Sequence, residues 1–302
     1  MISCHCPPSI PSFLFCGAMR SKVLFLLTPS EPTANHTFMA EKIRVGALIS
    51  GGGTNLQAII DACNSDRIDA KVVFVGSDNP QAYGLERAKK HGIPTFVVDY
   101  KAIIDDTNGK SLEDLVPKDF DLETVLSRQG VSPAVSEREK VKRYFCTRAI
   151  AEAALLREMA SYQFDLLVLA GFMRIVTPYF IDHINTDPSR PRIMNIHPAL
   201  LPSFPGADGY GDTYRSGCKV GGCTVHFVDY REDTGPIIGQ KTFEITPDDT
   251  LDTIREKGLG LEYQLYTECI QLFAEDRLRV VSRTYTLASG TAFKRKVVEI
   301  TG

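Results

Sequence analysis

From Lys42 onward, apolar and polar positions fall into blocks that switch between two periods. IRVGALIS is a short, β-branched apolar run that ends in GGGTN. NLQAIIDACNS then places Leu56, Ile59, Ile60 and Cys63 at the spacing of one helix face. AKVVFVGSD reads as a second strand, YGLERAKKHG as a helix stopped at Gly92, and TFVVDY as a third strand. This βαβαβ alternation with short loops predicts an α/β fold on a doubly wound, mostly parallel sheet.

Residues 101–140 break the rhythm: they are polar and acidic, with turn signals at NG and QG, and read as a solvated surface insertion. Beyond them VKRYFCTRAIAEAALLREMASY has the pattern of an amphipathic helix, FDLLVLAGF that of a buried strand, and RIMNIHPALLP that of a strand running into a turn. CTVHFVDY and IIGQKTFEI flank a loop and predict an antiparallel pair, a C-terminal antiparallel portion of the sheet. TLDTIREKGLGLEYQLYTECIQLFAE reads as a last helix interrupted by glycine, and 284–302 as a loosely packed polar tail. The expected organisation is therefore a folded domain over 42–283, carrying the 101–140 insertion, between two dissimilar ends.

Residues 1–41 are rich in Ser, Pro and Cys, and no acid precedes Glu31. They read either as a disordered extension, with Met39 the practical start of the folded protein, or as a targeting segment. VLFLL at 23–27 is shorter than the roughly 7–15 apolar residues of a signal-peptide core. A cytoplasmic location is expected, with a mitochondrion or plastid as the alternative if 1–38 form a transit peptide.

Composition adds exclusions. With 43% apolar and 24% charged residues the 302-residue chain is an ordinary globular sequence. A net charge of −3 gives no electrostatic reason to expect a nucleic-acid partner or a membrane surface. No apolar run approaches the roughly 20 residues of a membrane span. The eight cysteines show no repeated C-x-x-C spacing, so reduced thiols and no metal site are expected, with Cys63, Cys146 and Cys269 as core residues.

Two segments carry candidate chemistry. Ser50-Gly51-Gly52-Gly53-Thr54-Asn55 joins a strand to a helix, where glycines let the backbone approach an anion and the helix N-terminus supplies free N–H groups. Gly53, Thr54 and Asn55 are the candidate phosphate contacts, with Thr54 or Asn55 also able to cap the helix. A plain tight turn would use glycine as well, and neither G-x-x-x-x-G-K-[ST] nor G-x-G-x-x-G is present. The second segment is Asn195-Ile196-His197-Pro198 at a strand end, where alternation puts Asn195 and His197 on one face. An amide donor beside an imidazole suits acyl transfer: the amide stabilises a developing oxyanion and the imidazole acts as cation or base. A carboxylate near His197 would favour the imidazolium. The stretch DYREDTGP at 229–236 offers several acids, among which spacing does not choose.

At this point the residues resemble a known family, the folate-dependent phosphoribosylglycinamide formyltransferases. The similarity runs in order through ISGGGTNLQAIIDAC, AGFMRIVTPYF, MNIHPALLPSFPG and CTVHFVDYREDTGPII, and more weakly through 251–273, covering about 43–283. The resemblance implies a Rossmann-like formyltransferase fold and transfer of a formyl group from 10-formyltetrahydrofolate, a co-substrate, to the amine of glycinamide ribonucleotide in purine synthesis. It implies catalytic roles for Asn195, His197 and Asp233, so Asp233 is selected by alignment rather than by physics. It further implies a ribonucleotide site at Gly53, Thr54, Asn55 and Glu262. The implied folate pocket is formed by Met173, Arg174, Ile175, Val176, Asn195 and the loop Asp229, Tyr230, Arg231, Glu232 and Asp233. One of Arg138, Arg143 or Arg148 would be a folate-contacting arginine. The implied partners are these small molecules, with no metal, and a monomer or homodimer.

The chain departs from its relatives at Asp208-Gly209-Tyr210-Gly211-Asp212, where some carry a histidine-containing loop, and at Thr234, which replaces a common Gly or Ala; Gly258 and Gly260 are unusual neighbours of Glu262. A formyltetrahydrofolate hydrolase is similar around the same Asn and His, but needs no phosphate loop. A methionyl-tRNA formyltransferase would need an RNA-binding domain and a basic surface. A folate- or nucleotide-binding module with a dead site would not need Asn195, His197 and Asp233 intact.

Overall fold

The computed structural model describes residues 41–302. The extension or targeting segment expected over 1–41 lies outside the described residues, apart from its last position. The first half follows the expected alternation: β1 Ile43–Ile49, α1 Thr54–Asn64, β2 Ala70–Ser77, α2 Tyr83–Lys90 and β3 Thr95–Val97. Helices α3 Tyr100–Asp106 and α4 Leu122–Gln129 come next, then α5 Arg138–Met159, β4 Leu166–Leu169, α6 Pro178–Ile184 and β5 Ile193–His197. The chain ends with α7 Gly209–Arg215, β6 Val220–Phe227, β7 Ile237–Glu244, α8 Leu251–Ala274, β8 Leu278–Thr286 and β9 Ala292–Ile300.

Seven strands form one sheet in the order β3-β2-β1-β4-β5-β6-β7. The pairs from β3 to β5 are parallel, and β5–β6 and β6–β7 are antiparallel. The expected parallel sheet with an antiparallel C-terminal portion is thus what forms. Both faces are buried, which explains the nearly continuous apolar strands. Val45, Ala47 and Ile49 of β1 join the layer containing Leu56 and Ile60 of α1 and Leu265 and Ile270 of α8. Leu48 faces the other way, toward Leu155 and Met159 of α5 and Phe180 of α6. Strand order reverses between β1 and β4, which opens a crevice beyond their carboxyl ends. There the following loops are laced together: Ser50 N–H donates to Gly171 O at 3.0 Å, and Met173 N–H to Ser50 Oγ at 2.8 Å.

Three expectations are corrected. The 284–302 segment is not a loose tail: β8 and β9 pair antiparallel from Leu278↔Ile300 to Thr286↔Ala292. Its charged residues occupy exposed positions of a two-stranded ribbon held by backbone pairing, and Lys296 Nζ reaches within 3.6 Å of Asp229. The 101–140 insertion is more than a solvated excursion. Asp121 caps α4 by accepting from Glu123 N and Thr124 N, and Val125 and Leu126 pack with Phe145, Ala149 and Tyr179 in a small separate core. Finally, α8 runs through Gly258 without interruption, because the ring of Tyr210 lies where a side chain at 258 would be.

Candidate active site

Loops beyond the strand ends enclose a cleft of about 470 Å³ lined by Asn55, Met173–Val176, Asn195–Pro198, His226, Asp229, Arg231–Asp233 and Glu262, among others. Its centre is built on β5. Period-two alternation sends Asn195 and His197 to one face of that strand, and antiparallel pairing sets His226 of β6 directly opposite Asn195. Asn195 Nδ2 lies 3.3 Å from His226 Nε2, while His226 Nδ1 lies 2.9 Å from the Phe227 carbonyl. A carbonyl only accepts, so Nδ1 carries a proton; Nε2, which faces both Asn195 Nδ2 and Asp233 Oδ1, accepts from one amide hydrogen of Asn195 in the neutral ring and donates toward the carboxylate in the cationic ring. The second amide hydrogen remains for a ligand.

His197 is 3% exposed. Its Nδ1 is 3.2 Å from Asp233 Oδ2 and its Nε2 is 2.8 Å from the Phe204 carbonyl. Both neighbours are acceptors, so the imidazolium form satisfies both. Burial pushes the Asp233 carboxyl up, but the facing His226, the Gly206 N–H and the charge of His197 outweigh it and hold the carboxyl below its ordinary value. The Gly206 bond measures 2.9 Å and the His226 Nε2–Asp233 Oδ1 approach 3.7 Å. Phe204 and Asp233, at φ 55° and 52°, both adopt the left-handed region that non-glycine residues disfavour. Such strain costs of order 1–3 kcal/mol and gathers at functional sites; here it falls on the two residues that hold the His197 ring.

At the other end, Gly53 is the N-cap of α1, at φ 67°, and a Cβ there would sit 2.7 Å from Gly84 Cα. No side chain caps the helix, so the expected capping by Thr54 or Asn55 does not occur and the first amides face outward. Asn55 turns inward instead: its Nδ2 donates to Glu262 Oε2 at 2.7 Å, and its Oδ1 is buried without a partner among the described residues. Tyr210 OH donates to the other Glu262 oxygen at 2.7 Å. Burial pushes the Glu262 carboxyl up, against these two hydrogen bonds and the charge of His197. Asn55 lines the cleft, and Gly53 and Thr54 are not part of its lining.

The third wall is Met173–Val176. Met173 and Ile175 are exposed and Val176 is buried. Arg174 Nε is tied to Asp78 Oδ2 at 2.5 Å. Arg174 and Arg148 both lie over the Tyr100 ring, at 5.5 and 5.7 Å, and Arg148 Nη1 is buried without a partner among the described residues. Arg138 pairs with exposed Glu123, and Arg143 donates to Thr107 O, so neither approaches this wall. Tyr230 is not part of the lining: its hydroxyl donates to Asp182 at 2.8 Å, and its ring carries Arg128 of the insertion at 5.3 Å.

Three residues of the site were not singled out from sequence. His226 stands in CTVHFVDY, where pairing with the Asn195 strand is the signal that reveals it. Arg87, four residues into GLERA and its neighbours, donates from Nε to Gly52 O at 2.9 Å and brings a cation to the glycine loop. Tyr210 was named only as part of the departing 208–212 loop, with nothing in the sequence to give it a role. Among the described residues no group of three or more His, Cys, Asp or Glu is gathered as metal ligands, and no helix is long and apolar enough to cross a membrane.

An amide, an imidazole and a carboxylate beside a glycine-loop helix start, at the switch point of such a sheet, are an arrangement that suits group transfer. Residues 43–270 match the family model described as formyl transferase, and the chain belongs to that family. Within it the chain belongs to the phosphoribosylglycinamide formyltransferases. It is 34% identical over 237 residues to the enzyme of that name from Haemophilus influenzae, covering 78% of this chain and 90% of that one. A trifunctional purine biosynthetic protein of Chironomus tentans is 32% identical over 247 residues, but the chain spans only 15% of its length. The crystal structure of glycinamide ribonucleotide transformylase 1 from Symbiobacterium toebii superposes with a TM-score of 0.61 at 34% identity, over 90% of this chain and all of that one.

Proposed function

We propose that the cleft transfers the formyl group of 10-formyltetrahydrofolate to the amine of glycinamide ribonucleotide. The observation that carries this reading is that Asn195, His197 and Asp233, with the His197–Asp233 contact buried, line one cleft together with Asn55 from the uncapped first turn of α1. The phosphate sits at the amides of Gly53, Thr54 and Asn55, where the helix dipole and Arg87 favour an anion. The ribose end lies toward Glu262. The pterin lies between Met173–Val176 and the 229–233 loop. Of the three candidate arginines we assign Arg148 to the folate carboxylate side, because it alone shares the Tyr100 ring with Arg174.

Chemistry follows from the two donors. The amine attacks the formyl carbon, and negative charge develops on the formyl oxygen. Asn195 Nδ2–H and the His197 imidazolium stabilise that oxyanion. Binding the formyl oxygen exchanges the His197 Nε2 bond to Phe204 O for one to substrate. Asp233 keeps His197 charged, and the amine proton passes to the departing folate nitrogen through His197 or water. Holding both substrates in one cleft supplies much of the acceleration. Neither a metal nor a covalent enzyme intermediate is required.

The test is formyl loss from 10-formyltetrahydrofolate with and without glycinamide ribonucleotide. Loss that requires the ribonucleotide supports transfer; loss without it indicates a hydrolase. The five described cysteines are free thiols, which supports a reducing compartment such as the cytoplasm. Fusing residues 1–38 to a fluorescent reporter tests that location, and accumulation in an organelle contradicts it.

A further inference from the structure

We propose that Tyr210 is a positioning residue for the acceptor substrate: it fixes Glu262 so that this carboxylate, with Asn55, receives the hydroxyls of the ribose. This role rests on the function proposed above and says which residues select the sugar end of the acceptor.

The geometry is a line of two hydrogen bonds that meet at Glu262. Glu262 is 5% exposed, and each of its oxygens is held by one side-chain donor, Oε1 by Tyr210 OH and Oε2 by Asn55 Nδ2, both at 2.7 Å. Two donors on two oxygens fix the plane of the carboxylate, and each oxygen keeps a further lone pair. Asn55 Oδ1 is buried beside them, without a partner among the described residues. Both residues line the same cleft as His197. Apart from the second amide hydrogen of Asn55, this corner presents acceptors, and a ligand that fills it brings O–H or N–H donors. A vicinal diol supplies two such donors at the spacing of one carboxylate, whereas a phosphate or carboxylate would meet repulsion.

The reason Tyr210 reaches Glu262 lies in α8. Residues 258 and 262 are one turn apart on one helix face. A Cβ at Gly258 would fall within the Tyr210 ring. Glycine inside a helix costs roughly 1 kcal/mol relative to alanine, so this position gives up helix stability and admits the ring. Ile254 of the preceding turn and Ile245 pack on the same ring, and the hydroxyl is left pointing at Glu262. The departure at 208–212 and the unexpected glycine at 258 are thus two halves of one contact.

The test is steady-state kinetics of the full chain as wild type, Tyr210→Phe, Gly258→Ala and the double variant, with each substrate varied in turn. Tyr210→Phe keeps the ring and removes one hydrogen bond to a carboxylate. Its KM for glycinamide ribonucleotide is expected to rise about tenfold, with kcat and the folate KM within about twofold of wild type. Gly258→Ala displaces the same ring and should raise the same KM, and the double variant should be no worse than Tyr210→Phe alone. If Gly258→Ala does not fold, the Tyr210→Phe kinetics decide. An unchanged ribonucleotide KM in Tyr210→Phe, or parallel losses in kcat and both KM values, overturns the positioning role. Wild-type enzyme that transfers no formyl group overturns the function itself, so the two failures are distinct.

Discussion

Asp233 Oδ2 lies 3.2 Å from His197 Nδ1, in a contact that is almost wholly buried. The carboxyl is held below its ordinary value although burial opposes this, so the folded state favours the charged pair. A depressed carboxyl contributes stability above its unfolded value of about 3.9 and loses it as pH falls through the lower folded value. Asp233→Asn should therefore lower turnover by about 100-fold or more. Its stability deficit, read from urea midpoints, should be present at pH 7 and shrink toward pH 3. A deficit that is independent of pH would contradict the ion pair.

Asn195 Nδ2 faces His226 Nε2 at 3.3 Å, and in the proposed mechanism its other amide hydrogen holds the formyl oxygen. Removing a single preorganised oxyanion donor typically costs about 10²–10³ in kcat. Asn195→Ala should show that loss with a folate KM changed far less. His226→Ala should produce a smaller loss of the same kind, because the amide remains but its orientation is no longer set.

Gly53 combines a left-handed backbone with close approach to Gly84. Gly53→Ala should lower stability by about 1–2 kcal/mol from the backbone alone, and more if α2 must move. A thermal melt checks this, and the ribonucleotide KM should rise in the same variant.

Glu152 is buried on α5, with its oxygens accepting from Thr177 N–H at 2.7 Å and Thr177 Oγ1–H at 2.5 Å. Burial pushes its carboxyl up to about 7. A raised acid binds its proton more tightly when folded, so its contribution is greatest at low pH and is lost as pH rises toward 7. The stability of wild type relative to Glu152→Gln should fall between pH 5 and pH 7, by at most about 1.4 kcal/mol per pH unit. Urea titrations at both pH values measure the difference, and no change would contradict the raised value.

The sheet was legible because strands such as 43–49, 70–77 and 193–197 are apolar on both faces, so their short runs stand out between turn signals. The 278–300 hairpin was not, because Arg283, Lys294 and Lys296 face solvent and the ribbon is held by backbone pairing that leaves little side-chain pattern. Gly258 looked like a break in a helix because the ring that fills its place comes from Tyr210, far away in sequence. At the site, the strand placed Asn195 and His197 together by period alone. Spacing did not choose Asp233 over its acidic neighbours and only the family resemblance did; its 3.2 Å approach to His197 and the Asn55–Glu262 bond, between residues 207 positions apart, are products of the fold. His226 lies in CTVHFVDY, which the sequence paired only with IIGQKTFEI; its place opposite Asn195 comes from the pairing of β5 with β6.

The most direct test of the central claim follows the formyl carbon itself. The purified full chain is given 10-formyltetrahydrofolate labelled with ¹³C in the formyl group, together with glycinamide ribonucleotide, and products are read by mass spectrometry. The account predicts label on the ribonucleotide amine in step with release of tetrahydrofolate, and loss of both in His197→Ala. Label recovered as formate, or transfer that persists at the wild-type rate in His197→Ala, would contradict it.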